Sequence, residues 1–269
     1  MLTNPRADRV RAVASLSRRP VRERTGRFVV EGPQGVREAV RCAAGRVRDL
    51  YVTPEAAQRY AADIIEPARE ADLWVHEVSG EVLDAMGEAD TPQGVLAVLD
   101  IARPTLAEVL ESRPRLLVLL SQVRDPGNAG TVIRGADAAG ADAVLVTTES
   151  VDVNAPKVIR STAGSIFHLP VVTGLDLEAT LSTLAAHGIR TYAADGGGST
   201  LLPDADLTPP HCWVMGNEAN GLSAEVCALC DDVVRVPLHG RAESLNLAMA
   251  ATLCLFASAG VRRPGAGPR

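Results

Sequence analysis

Leu116-Leu117-Val118-Leu119-Leu120, followed shortly by Asp125-Pro126-Gly127-Asn128-Ala129-Gly130-Thr131-Val132-Ile133-Arg134, is the stretch that decides the fold. Five consecutive aliphatic residues suit a strand covered on both faces. Asp125-Pro126-Gly127-Asn128 then ends the strand, and a helix over about 128–139 is expected, with Asn128 as its cap. The same alternation continues downstream. Strands are expected at 143–146, 168–172, 189–194, 212–215 and 233–236, and helices at 156–163, 176–187, 223–230 and 244–259. The pattern predicts an α/β fold: a mostly parallel sheet with helices on both faces, which binds ligands beyond the carboxyl ends of its strands.

Upstream lies a smaller α/β unit, residues 1–100. Val10, Val13, Ala14 and Leu16 share one side of a helix expected over 4–19. Strands at 28–32, 49–53, 73–78 and 94–99 alternate with helices at 33–44, 54–71 and 80–86. Residues 101–114, which contain Pro104 and Pro114, read as a linker with room for one helical turn. The large domain spans 115–260, and the Arg, Pro and Gly of 261–269 predict a disordered tail.

Composition narrows the class. Aromatic residues are 3% of the chain, so the core must be aliphatic. No apolar run is long enough for a membrane span, and the N-terminus lacks a secretory stretch, which makes the cytoplasm the expected location. The five cysteines include Cys227-x-x-Cys230, with His211-Cys212 upstream, but a second pair at metal-finger spacing is missing. The expectation is no metal, with the cysteines as small apolar residues on a short helix. Net charge is −6, yet residues 1–48 hold twelve arginines against four acids, or +8, leaving −14 for the remainder. A basic segment on an acidic body points to local phosphate contact. The competing reading is a solvated arginine-rich helix in a chain whose only lysine is Lys157.

Three junctions carry chemistry. The first is Asn128 to Arg134, where a helix start exposes unpaired N–H groups and Arg134 follows about six residues in. The second is Gly216-Asn217-Glu218-Ala219-Asn220-Gly221-Leu222-Ser223, a glycine-bounded loop after an apolar strand. The third is Val236-Pro237-Leu238 with Glu243-Ser244-Leu245-Asn246, where Ser244 suits the cap of the last helix. Each admits a plain structural reading: a cap with a surface arginine, a turn capped by Ser223, and a capped buried helix.

In this order and at these spacings, the junctions resemble the SpoU/TrmH branch of the SPOUT RNA methyltransferases. The resemblance runs from Phe28-Val29-Val30-Glu31-Gly32 through Thr91-Pro92-Gln93-Gly94-Val95 to Glu243-Ser244-Leu245-Asn246. It implies an S-adenosylmethionine-dependent enzyme that methylates a ribose 2′-hydroxyl in RNA, and a deep trefoil knot in the C-terminal segment. It also implies a homodimer in which Arg134 reaches the partner's cofactor pocket. Carried over by motif, the cofactor-binding positions are Gly216, Asn217, Val236, Leu238 and Leu245, with Gly196 of Asp195-Gly196-Gly197-Gly198 on a third wall. The catalytic positions are Asn128, Arg134, Glu218, Ser244 and Asn246. The N-terminal unit resembles a family of large-subunit ribosomal proteins, which favours ribosomal RNA over transfer RNA as the partner. One departure is Gly135, where the family usually has Thr or Ser.

Two other classes compete with that reading. A non-catalytic RNA-binding or ribosome-assembly factor would bind RNA without the cofactor. A nicotinamide-dependent enzyme would need a glycine fingerprint that Asp125-Pro126-Gly127-Asn128 lacks.

Overall fold

Phe28 and Val30 face one layer and Val29 the other, the two-residue period of a strand, and that alternation organises the N-terminal part of the chain. The computed structural model describes residues 1–262. Its first elements are α1 (Asp8–Ala14), α2 (Arg19–Thr25), β1 (Arg27–Glu31), α3 (Pro33–Ala43), β2 (Val47–Val52), α4 (Pro54–Arg59), α5 (Glu66–Glu70), β3 (Val75–Glu77), α6 (Gly80–Met86) and β4 (Val95–Asp100). The sheet order is β1-β4-β2-β3, with β4 antiparallel to both neighbours and β3 parallel to β2 at the edge. Phe28, Val30, Leu50 and Val52 pack on Val36, Ala39 and Val40 of α3, while Val29, Tyr51, Leu96 and Val98 pack on α1 and α6.

Two helices expected as single pieces are broken. The 4–19 helix ends in a tight turn at Ser15–Ser17, and α2 restarts with Pro20 in its first turn. Proline has no N–H to continue a helix but fits the start of one. The 54–71 helix passes through a wide turn, Ala61–Ile65, in which Ile65 N–H reaches back to Tyr60 O at 3.2 Å. Pro67 follows at once and again lacks a donor.

From Arg103 onward the elements are α7 (Leu106–Glu111), β5 (Leu116–Leu120), α8 (Pro126–Ala139), β6 (Ala143–Thr147), α9 (Pro156–Thr162), β7 (Val171–Leu175), α10 (Leu177–Ala186), β8 (Arg190–Ala194), β9 (Thr200–Leu201), β10 (His211–Met215), α11 (Ala224–Leu229), β11 (Asp232–Arg235) and α12 (Leu247–Arg262). The seven strands lie in the order β7-β6-β5-β10-β8-β11-β9, and every pairing is parallel. Every residue of β5, β6 and β10 is buried. Leu117, Leu119, Cys212 and Val214 meet α7 and α10 on one side. On the other, the Trp213 indole meets Ser258 of α12.

The stretch read as a linker holds α7, closed by a capping box between Thr105 and Glu108. The strand expected at 168–172 starts three residues later, after Pro170. The last helix runs through Arg262, two residues into the expected tail, and 263–269 lie outside the described residues.

The contacts divide the chain differently from its sequence. Residues Asp152–His168, between β6 and β7, belong to the first compact unit with Met1–Ala102, and Arg103–Val151 joins the chain from Leu169 onward in the second. Arg22, 3% exposed, holds the excursion at its start, donating to Asp152 Oδ2 from Nε (2.9 Å) and Nη2 (2.6 Å). Ile159 of α9 sits in the core beside α3, and Phe167 stacks on Phe28. Among the described residues, no helix is long and apolar enough to cross a membrane.

A buried polar relay ties α12 to the sheet. The His211 Nδ1 partner is the Pro209 carbonyl at 2.8 Å, which only accepts, so Nδ1 carries the proton. The Ser258 hydroxyl accepts from Trp213 Nε1 (2.9 Å), and its one hydrogen has two acceptors in reach, His211 Nε2 (2.8 Å) and the Cys254 carbonyl (3.1 Å). Ser258→Ala is expected to lower unfolding stability by about 1–3 kcal/mol, because the buried indole N–H loses its acceptor. Denaturant unfolding of wild type and variant measures the difference.

Candidate active site

Beyond the carboxyl ends of β8, β10 and β11 lies a cavity of about 240 Å³. Its floor is backbone. Ala194-Asp195-Gly196 leave β8, Met215-Gly216-Asn217 leave β10, and Val236 follows β11. Gly216 has no room for a side chain: a Cβ there would lie 2.4 Å from both the carbonyl carbon and oxygen of Gly221. Gly221 itself holds φ +64° and exchanges two backbone hydrogen bonds with Asn217, at 2.9 and 3.1 Å. The loop is thus a closed hairpin pressed on its own strand, an arrangement open only to glycine at Gly216.

Glu218 joins this loop to the next. Its Oε1 accepts from Asp125 N (3.1 Å) and Asn128 Nδ2 (3.3 Å), and its Oε2 from Arg124 N (3.2 Å). Asn128 Oδ1 in turn accepts from Asn246 Nδ2 at 2.9 Å. Asn246 Oδ1 caps α12, accepting from Ala248 N (2.9 Å) and Met249 N (3.3 Å). One side-chain chain therefore links all three junctions. A second strut runs from Asn217 Nδ2 to the Gln122 carbonyl (2.8 Å), which points there because Gln122 adopts φ +55°.

Two caps differ from expectation, and the difference explains the network. Asp125, not Asn128, caps α8, accepting from Asn128 N at 2.7 Å. The helix starts at Pro126, whose fixed φ suits that first position, so the Asn128 side chain is released for Glu218 and Asn246. Likewise Asn246, not Ser244, caps α12, and Ser244 lies ahead of the helix on the cavity wall.

The six residues assigned to the cofactor, Gly196, Gly216, Asn217, Val236, Leu238 and Leu245, all line the cavity, as do Glu218 and Ser244. Asn128 and Asn246 stand behind it through the relay. Arg134 does not line it. It is exposed on α8, and among the described residues it makes no hydrogen bond or ion pair. Gly135 faces α12, where an added Cβ would sit 3.3 Å from Thr252 Oγ1, so the hydroxyl stands on the opposite helix. Two carboxylates on the cavity wall, Asp195 and Glu243, were not assigned from the sequence. Asp195 was in view ahead of its glycines, and its Oδ1 fixes that turn by accepting from Gly197 N at 2.8 Å. Cys227 lies on α11 and Cys230 caps its end; burial raises both thiols, Cys230 to about 11, so neither is an available thiolate near neutral pH.

The profile of the SpoU rRNA Methylase family matches residues 115–256, which contain all three junctions. The chain belongs to the SpoU rRNA methylase family. Residues 7–97 match the MRM3-like substrate binding domain. A Bacillus subtilis relative, the 23S rRNA (guanosine(2553)-2′-O)-methyltransferase RlmP, is 33% identical over 87% of this chain and 89% of its own. The AdoMet-bound rRNA methyltransferase of Sinorhizobium meliloti superposes with a TM-score of 0.83 at 29% identity, over 96% of each chain. The SpoU methyltransferase AviRb of Streptomyces viridochromogenes, in complex with AdoMet, gives 0.83 at 31% identity, over 95% of this chain and 99% of the other.

S-adenosylmethionine is accordingly the cofactor, and the lining fits it. Backbone edges at Gly196 and Gly216 offer hydrogen-bonding groups, Met215, Val234, Val236 and Leu245 offer apolar walls, and the Asp195 and Glu243 carboxylates suit a cationic sulfonium. Gly216→Ala is expected to raise the dissociation constant for S-adenosylmethionine at least about tenfold, since the methyl displaces the hairpin that forms the wall. Calorimetric titration, with circular dichroism to verify folding, measures it.

Proposed function

We propose that this chain methylates a ribose 2′-hydroxyl of ribosomal RNA, acting as a homodimer in the cytoplasm. The observation that carries the reading is the Glu218–Asn128–Asn246 chain, which holds the three junctions at one cavity. The matched substrate-binding domain at 7–97 and the ribosomal-RNA relatives support the choice of RNA.

Bound S-adenosylmethionine supplies an electrophilic methyl group on sulfur. Gly196, Gly216, Asn217, Val236, Leu238 and Leu245 hold it by backbone and apolar contact. Asn246 spends its carbonyl on the α12 cap and one amide hydrogen on Asn128, leaving its second amide hydrogen to orient the ribose beside Ser244. Glu218 keeps the loop in register. Arg134 binds the target phosphate and stabilises negative charge as the 2′-oxygen attacks, with the proton leaving to water or a phosphate oxygen. A guanidinium is already protonated and resists deprotonation, so its contribution is electrostatic.

Two features support the homodimer. Met249, Leu253 and Phe256 form a stripe at i, i+4 and i+7 on α12, exposed by 59, 46 and 50%. Arg134 stands apart from its own cavity, as expected of a residue that completes the partner's. The trefoil knot belongs to the same reading. β11 lies near one edge of the sheet, and the chain then returns so that α12 packs on α8 and β10.

Incubation of the purified protein with S-adenosylmethionine and unmodified ribosomal RNA, followed by mapping of 2′-O-methyl positions, is expected to reveal one modified nucleotide. Modification of transfer RNA alone would refute the substrate assignment. Arg134→Lys is expected to slow the single-turnover rate at saturating RNA roughly tenfold or more, because lysine keeps the charge but loses the planar fork. A near-normal rate would remove Arg134 from the chemical step.

A further inference from the structure

In the first unit, three metal-ligating side chains converge. Glu38 and Cys42 are one turn apart on α3 and share a face. His168 arrives from the end of the Asp152–His168 excursion. One ligand atom from each, a carboxylate oxygen, a thiol sulfur and an imidazole nitrogen, lies within 4.8 Å of the other two. Glu38 Oε2 is already 3.3 Å from His168 Nε2. We propose that Glu38, Cys42 and His168 bind a zinc-class divalent cation, with water as the fourth ligand.

The spacing suits such an ion. Ligand bonds of about 2.0–2.3 Å in tetrahedral geometry place ligand atoms roughly 3.4–3.6 Å apart, so small side-chain rotations complete the site. The donor set is borderline-soft, which favours zinc over calcium or magnesium. Charge also balances: the dication meets one carboxylate, one thiolate and one neutral imidazole. On binding, the Cys42 thiol releases its proton to solvent, and His168 gives up the Nε2 proton that it shares with Glu38, so that its remaining proton lies on Nδ1. Arg37 occupies the other carboxylate oxygen, Oε1, at 2.9 Å, which leaves Oε2 directed at His168.

The approach of His168 is built into the backbone. Gly164 holds φ +99°, and a Cβ there would lie 2.6 Å from Glu38 Cγ, so only glycine lets this turn rest on the Glu38 side chain. Phe167, next to His168, stacks on Phe28 at 6.5 Å between ring centroids and lies under the Arg46 guanidinium. The ion would fasten the far end of the excursion to α3, as the Arg22–Asp152 pair fastens its start.

The test uses untagged, chelator-treated full-length protein titrated with cobalt(II). The expected result is one equivalent bound, a thiolate-to-cobalt charge-transfer band with four-coordinate visible absorption, and displacement by zinc. Cys42→Ser should lose the charge-transfer band and weaken zinc binding at least about tenfold, while the Cys227→Ser/Cys230→Ser double variant should retain both. Zinc should also raise the wild-type melting temperature, a readout that needs no variant. The assignment is overturned by an absent cobalt band, by a band that persists in Cys42→Ser or vanishes in the double variant, or by a melting temperature indifferent to zinc.

Discussion

The Glu218 carboxylate is the interaction on which the geometry of the second unit's cavity depends. It accepts from the backbone N–H groups of Arg124 and Asp125 in the β5–α8 connection and from the Asn128 side-chain amide in the first turn of α8, while belonging to the loop after β10. Those donors sit at a helix start, where backbone N–H groups have no partners within the helix and the local dipole favours an anion. A carboxylate there satisfies groups that would otherwise call for water, and it does so with charge-assisted bonds. Because β5 and β10 are adjacent parallel strands, their carboxyl ends emerge side by side, and the bridge needs only one side chain. The Asn128–Asn246 bond then carries the same constraint to α12.

This arrangement explains why the cavity is made of backbone. A site that grips its ligand through main-chain edges depends on loop position, and loops are the mobile part of a fold. Here each wall is pinned: the β8 wall by Asp195 Oδ1 on Gly197 N, the β10 wall by the Asn217–Gly221 pairing, and the last wall by Asn246 at the helix start. The left-handed Gln122 has a place in the same scheme. A non-glycine residue in that conformation is strained, and its carbonyl is the acceptor for Asn217.

What could be read from the chain follows the range of the interactions. The aliphatic runs of β5, β6 and β10 announce buried parallel strands because burial on both faces leaves a purely local signature. The three junctions are also local, and the cavity-lining residues among them were legible from their motifs. The caps were misplaced by two or three residues, because Asp125 and Asn128, or Ser244 and Asn246, are equally good capping types. Only the bonds to Glu218 and Asn128 distinguish them. The allegiance of Asp152–His168 left no trace at all. Its helix has the period and length of an ordinary crossover, and the contacts that claim it, Arg22 with Asp152 and Glu38 with His168, span 130 residues each.

Those contacts also sort the arginines that give the N-terminal segment its charge. Eight of the twelve are ion-paired: Arg9, Arg11, Arg19, Arg22, Arg27, Arg37, Arg41 and Arg48. A positive count is therefore a poor measure of what phosphate meets. Exposed pairs such as Arg11–Asp8 and Arg19–Glu23 are worth at most about 1 kcal/mol and are screened by salt. A phosphate can replace the carboxylate in such a pair at little cost. Arg22 is different. It is buried, donates to two backbone carbonyls as well as to Asp152, and removing its partner would strand a charge in the core. It is a structural residue that composition counts as an RNA ligand. The arginines whose charge a phosphate could meet are the exposed pairs that can exchange partners, together with Arg6, Arg18 and Arg24, which form no ion pair among the described residues. Any phosphate recognition by this unit would be a competition against weak surface pairs, with an affinity that falls steeply with added salt.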